Sequence, residues 1–319
     1  MREWFTDRQR VDSMRGLACL LLVYYHAVEA FAQYTGQDFP TLQAINLVLA
    51  DMRMPLFSFI SGLIFAYRPE RSGRLKFIAG KSQRLLIPFF FMTALMLGMK
   101  TVYPSASVPA TIADLPYHIV YAYSHLWFLQ AIFLVFCLFA ALHAALAISR
   151  WHYLLVFGLS LATYFSPLTL IDALSIGGAF YLLPFFTLGA IVTIYLDRIV
   201  ANYRPLMIAS ALLFVAALGL SIGGVGFEFV GLAVGVSFLL TIYLLFPRVA
   251  PLYKLGSYSY TIYLFHSIFI ALGLRLVPKG VGIGLPLVVM LALLAPVVVD
   301  WLIERLTPRL RFAVGKGFN

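Results

Sequence analysis

The sequence predicts an all-α fold: a polytopic integral membrane protein of about ten transmembrane helices with both termini in the cytoplasm. Three observations predict it. Of the 319 residues, 62% are hydrophobic and only 11% charged, and the mean hydropathy of +0.93 is far from that of a soluble domain. The apolar residues gather into runs of about 20, enough for a helix to cross a hydrocarbon core of about 30 Å. Lys and Arg fall mainly in every second gap between these runs, the asymmetry that cytoplasmic loops show.

The runs are 15–34, 43–67, 85–102, 124–148, 152–171, 178–196, 206–222, 227–246, 257–276 and 282–302. One side receives Arg2, Arg8, Arg10 and Arg15 before the first run, and Arg68, Arg71, Arg74, Lys76, Lys81 and Arg84 before the third. Later gaps on that side hold Arg150, Arg198, Arg204, Arg248 and Lys254, and the C-terminus adds Arg305, Arg309, Arg311 and Lys316. The opposite side holds only Lys100, Arg275 and Lys279, with Arg53 inside the second run. Both termini on the basic side require an even number of spans. The net charge of +10 follows from this topology and from anchoring to anionic inner-leaflet lipid, with no nucleic-acid partner implied.

A single membrane domain over residues 1–319 is expected, with no separate soluble domain. The longest polar gap, 68–84, is basic, and "RSGRLKFIAGKSQR" has the makeup of an amphipathic surface helix. "YPSASVPATIADLP" (103–116) reads as an irregular outer loop. Ala30-Phe31-Ala32 resembles a signal-peptidase site, but the run before it is long enough to span and carries His26 and Glu29, so it is read as retained. Cys19 and Cys137 lie in apolar runs without metal-ligand spacing and read as buried thiols. No metal is expected, and no phosphate loop, nucleophile elbow or HExxH appears.

What needs explaining is ionisable residues at membrane depth, which are costly and mark reaction centres or pathways. At 100° per residue, Asp12, Arg15, Cys19, His26, Glu29 and Gln33 fall on one helical stripe. Arg15 stands at the cytoplasmic edge and His26 about 16 Å deeper. Glu29, one turn further out, is placed to accept a hydrogen bond from the imidazole and set its tautomer. A histidine that only holds helices together would fit the stripe as well. In "ADMRMPLFSFISGLIFAY", Arg53 pairs with Asp51, with Glu29 or with a bound anion, while Ser58, Ser61 and Gly62 suggest close helix packing. His266 sits midway along the ninth run, and His125 opens the fourth beside Trp127, an aromatic-belt position. His118, His143 and His152 read as ordinary interfacial residues.

At these residues the sequence resembles the bacterial membrane acyltransferase-3 family, integral membrane enzymes that O-acylate glycans. "VDSMRGLACLLLVYYH" (11–26) is similar to the family's Asp-x-x-Arg-Gly run ending in histidine, and "RMPLFSFISGLIF" (53–65) to its second-span signature. "KSQRLLIPFF" (81–90) resembles its Arg-x-x-Arg segment, with Lys81 in place of the first Arg, while a literal Arg71-x-x-Arg74 lies ten residues earlier. "HLWFL" (125–129) and "SYTIYLFH" (259–266) resemble two later signatures.

The resemblance implies acyl transfer, by default acetyl transfer, from cytoplasmic acyl-CoA to a hydroxyl of a surface or lipid-linked glycan at the bacterial inner membrane. It implies no permanently bound cofactor; acetyl-CoA is a substrate. Arg15, Lys81 and Arg84, with Arg71 and Arg74 nearby, would meet the CoA phosphates. His26 would act as general base or acyl-accepting nucleophile, Glu29 would orient it, and Arg53 would stabilise the oxyanion. His125, Trp127 and His266 would line the acceptor route. The competing reading is a transporter or flippase of lipid-linked saccharide, since intramembrane charges on ten spans suit that function equally. N-acylation of an amino sugar would keep the site and change only the acceptor.

Overall fold

The computed structural model describes residues 2–67, 73–102, 110–145, 149–226 and 228–316, and among these there is no strand. The helices are α1 (Arg2–Thr6), α2 (Arg8–Thr35), α3 (Pro40–Val48), α4 (Ala50–Tyr67), α5 (Arg74–Val102), α6 (Leu115–Val120), α7 (Trp127–Ala145), α8 (Arg150–Tyr164), α9 (Ile176–Ile194), α10 (Leu196–Ala201), α11 (Tyr203–Ile222), α12 (Glu228–Leu245), α13 (Ala250–Gly256), α14 (Ser259–Leu276) and α15 (Val281–Leu306). Among the described residues, nine helical stretches are long and apolar enough to cross a membrane. The all-α membrane fold is therefore as the sequence predicts.

Three departures from the predicted runs have local causes. The run at 152–171 is not one long helix: α8 ends at Tyr164, about 22 Å of helix, and a 3-10 turn follows over Pro167–Leu170. The residue before a proline is pushed out of the α region, and Ser166 Oγ starts the new turn by accepting from Leu168 N–H at 3.3 Å. The second run is broken at Leu49 into α3 and α4. The basic stretch, from Arg74 onward, is not a separate surface helix but is continuous with the third span in α5. Arg68 and Arg71 of that stretch, and residues 103–109 of the outer loop, lie outside the described residues.

The chain forms two compact units, residues 1–67 with 188–301, and 68–187 with 302–319. In the first, α2 is fixed at both ends. Asp7 caps its start by accepting from Gln9 N–H at 2.9 Å, and Gly36, at φ +65°, closes its end with an N–H to Ala32 O. Its inner face (Cys19, Val23, Ala27, Val28, Phe31) packs on Ile262 and Ile270 of α14 and on Leu285, Val288 and Ala292 of α15. Lipid tails are as apolar as these side chains, so water exclusion does not drive this contact; close van der Waals fit does. Small residues therefore mark the seams. Gly16 meets the Leu252 carbonyl and Gly256 the Asp12 carbonyl where α13 crosses α2, and Gly189 meets the Phe59 carbonyl between α9 and α4. One turn beyond Gly189, Thr193 Oγ1 donates to Leu63 O at 3.2 Å.

The second unit has an aromatic core. Phe139 lies 4.9 Å from Phe186 and 6.0 Å from Tyr153 between ring centroids, and Phe136 lies 5.3 Å from Phe186. The C-terminal 3-10 segment Pro308–Val314 returns to α5, with Phe312 set 5.9 Å from Phe91.

Candidate active site

The stripe on α2 grades from polar anchor to half-buried centre. Asp12 is buried and pairs with Arg15, Nη1 to Oδ1 2.7 Å, while Arg8 approaches its other oxygen at 3.6 Å. Gly16 and Gly256 bring the α13 backbone against this turn. The Asp-x-x-Arg-Gly run thus has one physical explanation: an ion pair that holds Arg15 and a missing Cβ that admits a crossing helix. Cys19 below it is buried and unoxidised, with its thiol 3.7 Å from Ser259 O.

Three turns along α2, His26 is half-buried. Its ring sits 4.8 Å from that of Tyr25 and 5.1 Å from that of His266 on α14. His266 is fully buried, and its Nδ1 lies 2.8 Å from Tyr263 O and 3.1 Å from Ile262 O. Ser267 Oγ lies 3.3 Å from its Nε2. The two mid-membrane histidines, far apart in the chain, are therefore brought ring to ring.

The break at Leu49 positions Arg53. The last carbonyls of a helix lack intrahelical donors and carry its negative dipole end. Arg53 Nη1 donates to one of them, Asn46 O, at 3.1 Å, and its guanidinium lies 3.9 Å from the Tyr25 ring centroid, a cation–π contact. Asn46, itself buried, donates Nδ2 to Glu29 Oε1 at 3.3 Å and to Tyr25 O at 3.4 Å. Asp51 lies against Gly231 of α12, where a Cβ would stand 2.9 Å from its Oδ2. His26, His266, Tyr25, Arg53, Asn46 and Glu29 thus form one cluster within the first unit.

Lys81, Arg84, His125 and Trp127 belong to the second unit. Lys81 Nζ lies 3.6 Å from the Phe136 ring centroid and 5.4 Å from that of Phe77, whereas Arg84 is exposed. His125 is buried in the 3-10 turn Ser124–Leu126, which opens with Ser124 at φ +52°. Trp127 packs flat on Gly178, where a Cβ would come within 2.7 Å of the indole. Gln130, a turn along α7, receives Ser175 Oγ at 2.8 Å and donates to Ile119 O at 2.7 Å. His118 Nδ1 meets Tyr121 O at 3.1 Å, and His152 Nδ1 caps α8 at Ser149 N, 3.0 Å, so both serve local structure.

Two residues of the first unit escape sequence reasoning. Asn46 was a detectable signal, a primary amide inside "AINLVLA", under the same rule that flagged His26. Arg10, counted with the cytoplasmic cations, is 1% exposed. It donates Nε to Phe246 O at 2.7 Å, Nη1 to Trp4 O at 3.4 Å and Nη2 to Tyr243 O, with its guanidinium over the Trp4 and Phe5 rings.

Comparison with known proteins gives a consistent picture. Residues 8–305 match the family described as "Acyltransferase domain". Nodulation protein NolL of Mesorhizobium japonicum is 26% identical over 161 residues, 50% of this chain and 41% of that protein. Nodulation protein NolL of Sinorhizobium fredii is 28% identical over 145 residues, 44% of this chain and 38% of that protein. The matched part is thus about two fifths of each relative's length. No solved structure matches.

Proposed function

The chain belongs to the acyltransferase domain family, and from that premise we propose that it transfers an acyl group, acetyl by default, from cytoplasmic acyl-CoA to a glycan hydroxyl at the bacterial inner membrane. The observation that carries this reading is the cluster around His26: an imidazole half-buried on a membrane-spanning helix, with a second imidazole 5.1 Å away and the Arg53 cation on its neighbour Tyr25. In this scheme the chain acts as one membrane domain, and with both termini cytoplasmic the shorter α8 counts as the tenth span beside the nine longer stretches.

CoA approaches from the basic side. Arg15, held at the start of α2 by Asp12, meets its phosphates, while the α5 cations Lys81 and Arg84 of the second unit add to the positive field that draws them in. The thioester reaches His26 along α2. His26 takes the proton of the acceptor hydroxyl as the oxygen attacks the thioester carbonyl carbon. Arg53 stabilises the negative charge that develops on the carbonyl oxygen. The C–S bond then breaks and the proton passes from the imidazolium to the departing thiolate, giving an ester and CoA. The covalent variant, in which His26 accepts the acyl group first, uses the same groups. Glu29, anchored through Asn46, places a carboxylate one turn outward of the imidazole.

The test uses membrane vesicles containing the wild-type protein or His26→Ala, acyl-labelled acetyl-CoA and a crude lipid-linked glycan fraction from the same cells. Label in the glycan with the wild type only supports the reading. Equal label in both removes His26 from the mechanism. Movement of saccharide across the vesicle without label favours a transporter or flippase.

A further inference from the structure

Within that reading, we propose that His266 is the positioning residue of the reaction centre: its Nε2 accepts a hydrogen bond from a ring N–H of His26 and so fixes which His26 nitrogen faces the substrates. His266 has one ring nitrogen already committed. Its Nδ1 stands 2.8 Å from Tyr263 O and 3.1 Å from Ile262 O, and carbonyl oxygens only accept. Nδ1 therefore carries the hydrogen, and in the neutral ring Nε2 carries the lone pair. With Nδ1 committed to the carbonyls of its own helix, the imidazole has Nε2 as its remaining ring nitrogen.

His26 is the ring beside it. A centroid separation of about 5 Å is what two imidazoles sharing one N–H···N bond require, at an N···N distance of about 2.9 Å, and the observed separation is 5.1 Å with the planes 40° apart. The backbone of α14 thus specifies the His266 tautomer, and His266 specifies that of His26. The His26 nitrogen that donates to His266 is committed, so the other one bears the lone pair for the proton transfer or the acyl group. This sets His266 apart from a residue that lines the acceptor route, because it acts through His26. Ser267 Oγ, 3.3 Å from the same Nε2, is the competing donor there.

Two measurements test this, the first independent of any acyl transfer. Solid-state 15N NMR of histidine-labelled full-length protein in lipid bilayers is expected to show a cross-ring N–H···N correlation that both His26→Ala and His266→Phe remove. Its absence in the wild type overturns the proposal. The second is the vesicle assay. His266→Phe, which keeps a ring at that position, is expected to lower the maximal transfer rate about 100-fold, the scale of one general-base contribution, with half-saturation for acetyl-CoA and for the glycan fraction unchanged within about twofold. His266→Gln, whose side-chain carbonyl can accept where Nε2 did, is expected to recover to within about tenfold of wild type, and Ser267→Ala to stay near it. Gln no better than Phe, or a rise in glycan half-saturation as the main effect, overturns the positioning role. A wild type that transfers no label refutes the acyltransferase reading, while the histidine pair is still decided by the spectrum.

Discussion

Arg15 and Asp12 form a one-turn ion pair, Nη1 to Oδ1 2.7 Å, with the carboxylate buried and the guanidinium reaching the surface. A surface arginine on a flexible stem samples many rotamers; this one is tethered by a buried carboxylate. Asp12→Asn removes the tether and leaves the Gly256 contact, which is to the Asp12 backbone, in place. Acetyl-CoA half-saturation is expected to rise about two- to fivefold, the scale of a partly exposed pair, with the glycan half-saturation unchanged. Initial rates at varied acetyl-CoA measure it.

At the same crossing, Gly256→Ala drives a methyl group into the Asp12 carbonyl, and Gly16→Ala drives one into Leu252. Neither neighbour is a flexible side-chain tip, so a helix must shift. Each change is expected to cost about 1–3 kcal/mol, read as a lower melting temperature in detergent. Gly80→Ala, where a Cβ meets nothing within 4 Å, is the matched control and should melt no lower than wild type.

Lys81 and Arg84, one turn apart on α5, should behave differently. Arg84 is exposed, and its replacement by Ala is expected to raise acetyl-CoA half-saturation several-fold at low salt, an effect that fades as ionic strength shortens the Debye length towards about 8 Å. Lys81 lies against Phe136. Lys81→Met is therefore expected to change the salt dependence less and the thermal stability more than Arg84→Ala. Equal salt slopes for the two variants would contradict the distinction.

Arg53→Lys keeps the charge but loses the planar fork that reaches Asn46 O while lying on Tyr25. If Arg53 acts on the developing oxyanion, the maximal rate falls about 10- to 100-fold with little change in either half-saturation. A change confined to glycan half-saturation would move Arg53 to acceptor binding.

Much of this was legible in the chain. The apolar runs marked the spans, and the 3.6-residue period put Arg15, His26 and Glu29 on one stripe of α2. Local chemistry that competes with an apolar run was harder to read: Leu49 breaks the second run and Ser166-Pro167 cuts short the fifth, while α5 runs on through the basic stretch and Pro88. Tertiary pairing was not legible at all. Nothing in the periodicity of α2 or α14 states that His26 faces His266, or that Arg53 reaches a carbonyl that exists only because α3 ends. The burial of Arg10 was hidden for the same reason, since a cation before the first span resembles any other until its three carbonyl partners are known.

Arg10 also constrains the order of biogenesis. Two of its carbonyl partners, Tyr243 and Phe246, are made more than 230 residues later, as are Val249 and Ser259, which meet Ser13 and Cys19. While the ribosome is still making the middle of the chain, the first span has none of these neighbours. It must wait at the insertion machinery or the interface with its guanidinium still hydrated, and can seat only after α12 to α14 arrive. A nascent chain halted before residue 246 should therefore leave residues 8–35 accessible to protease or thiol reagents, and release past residue 276 should close them off.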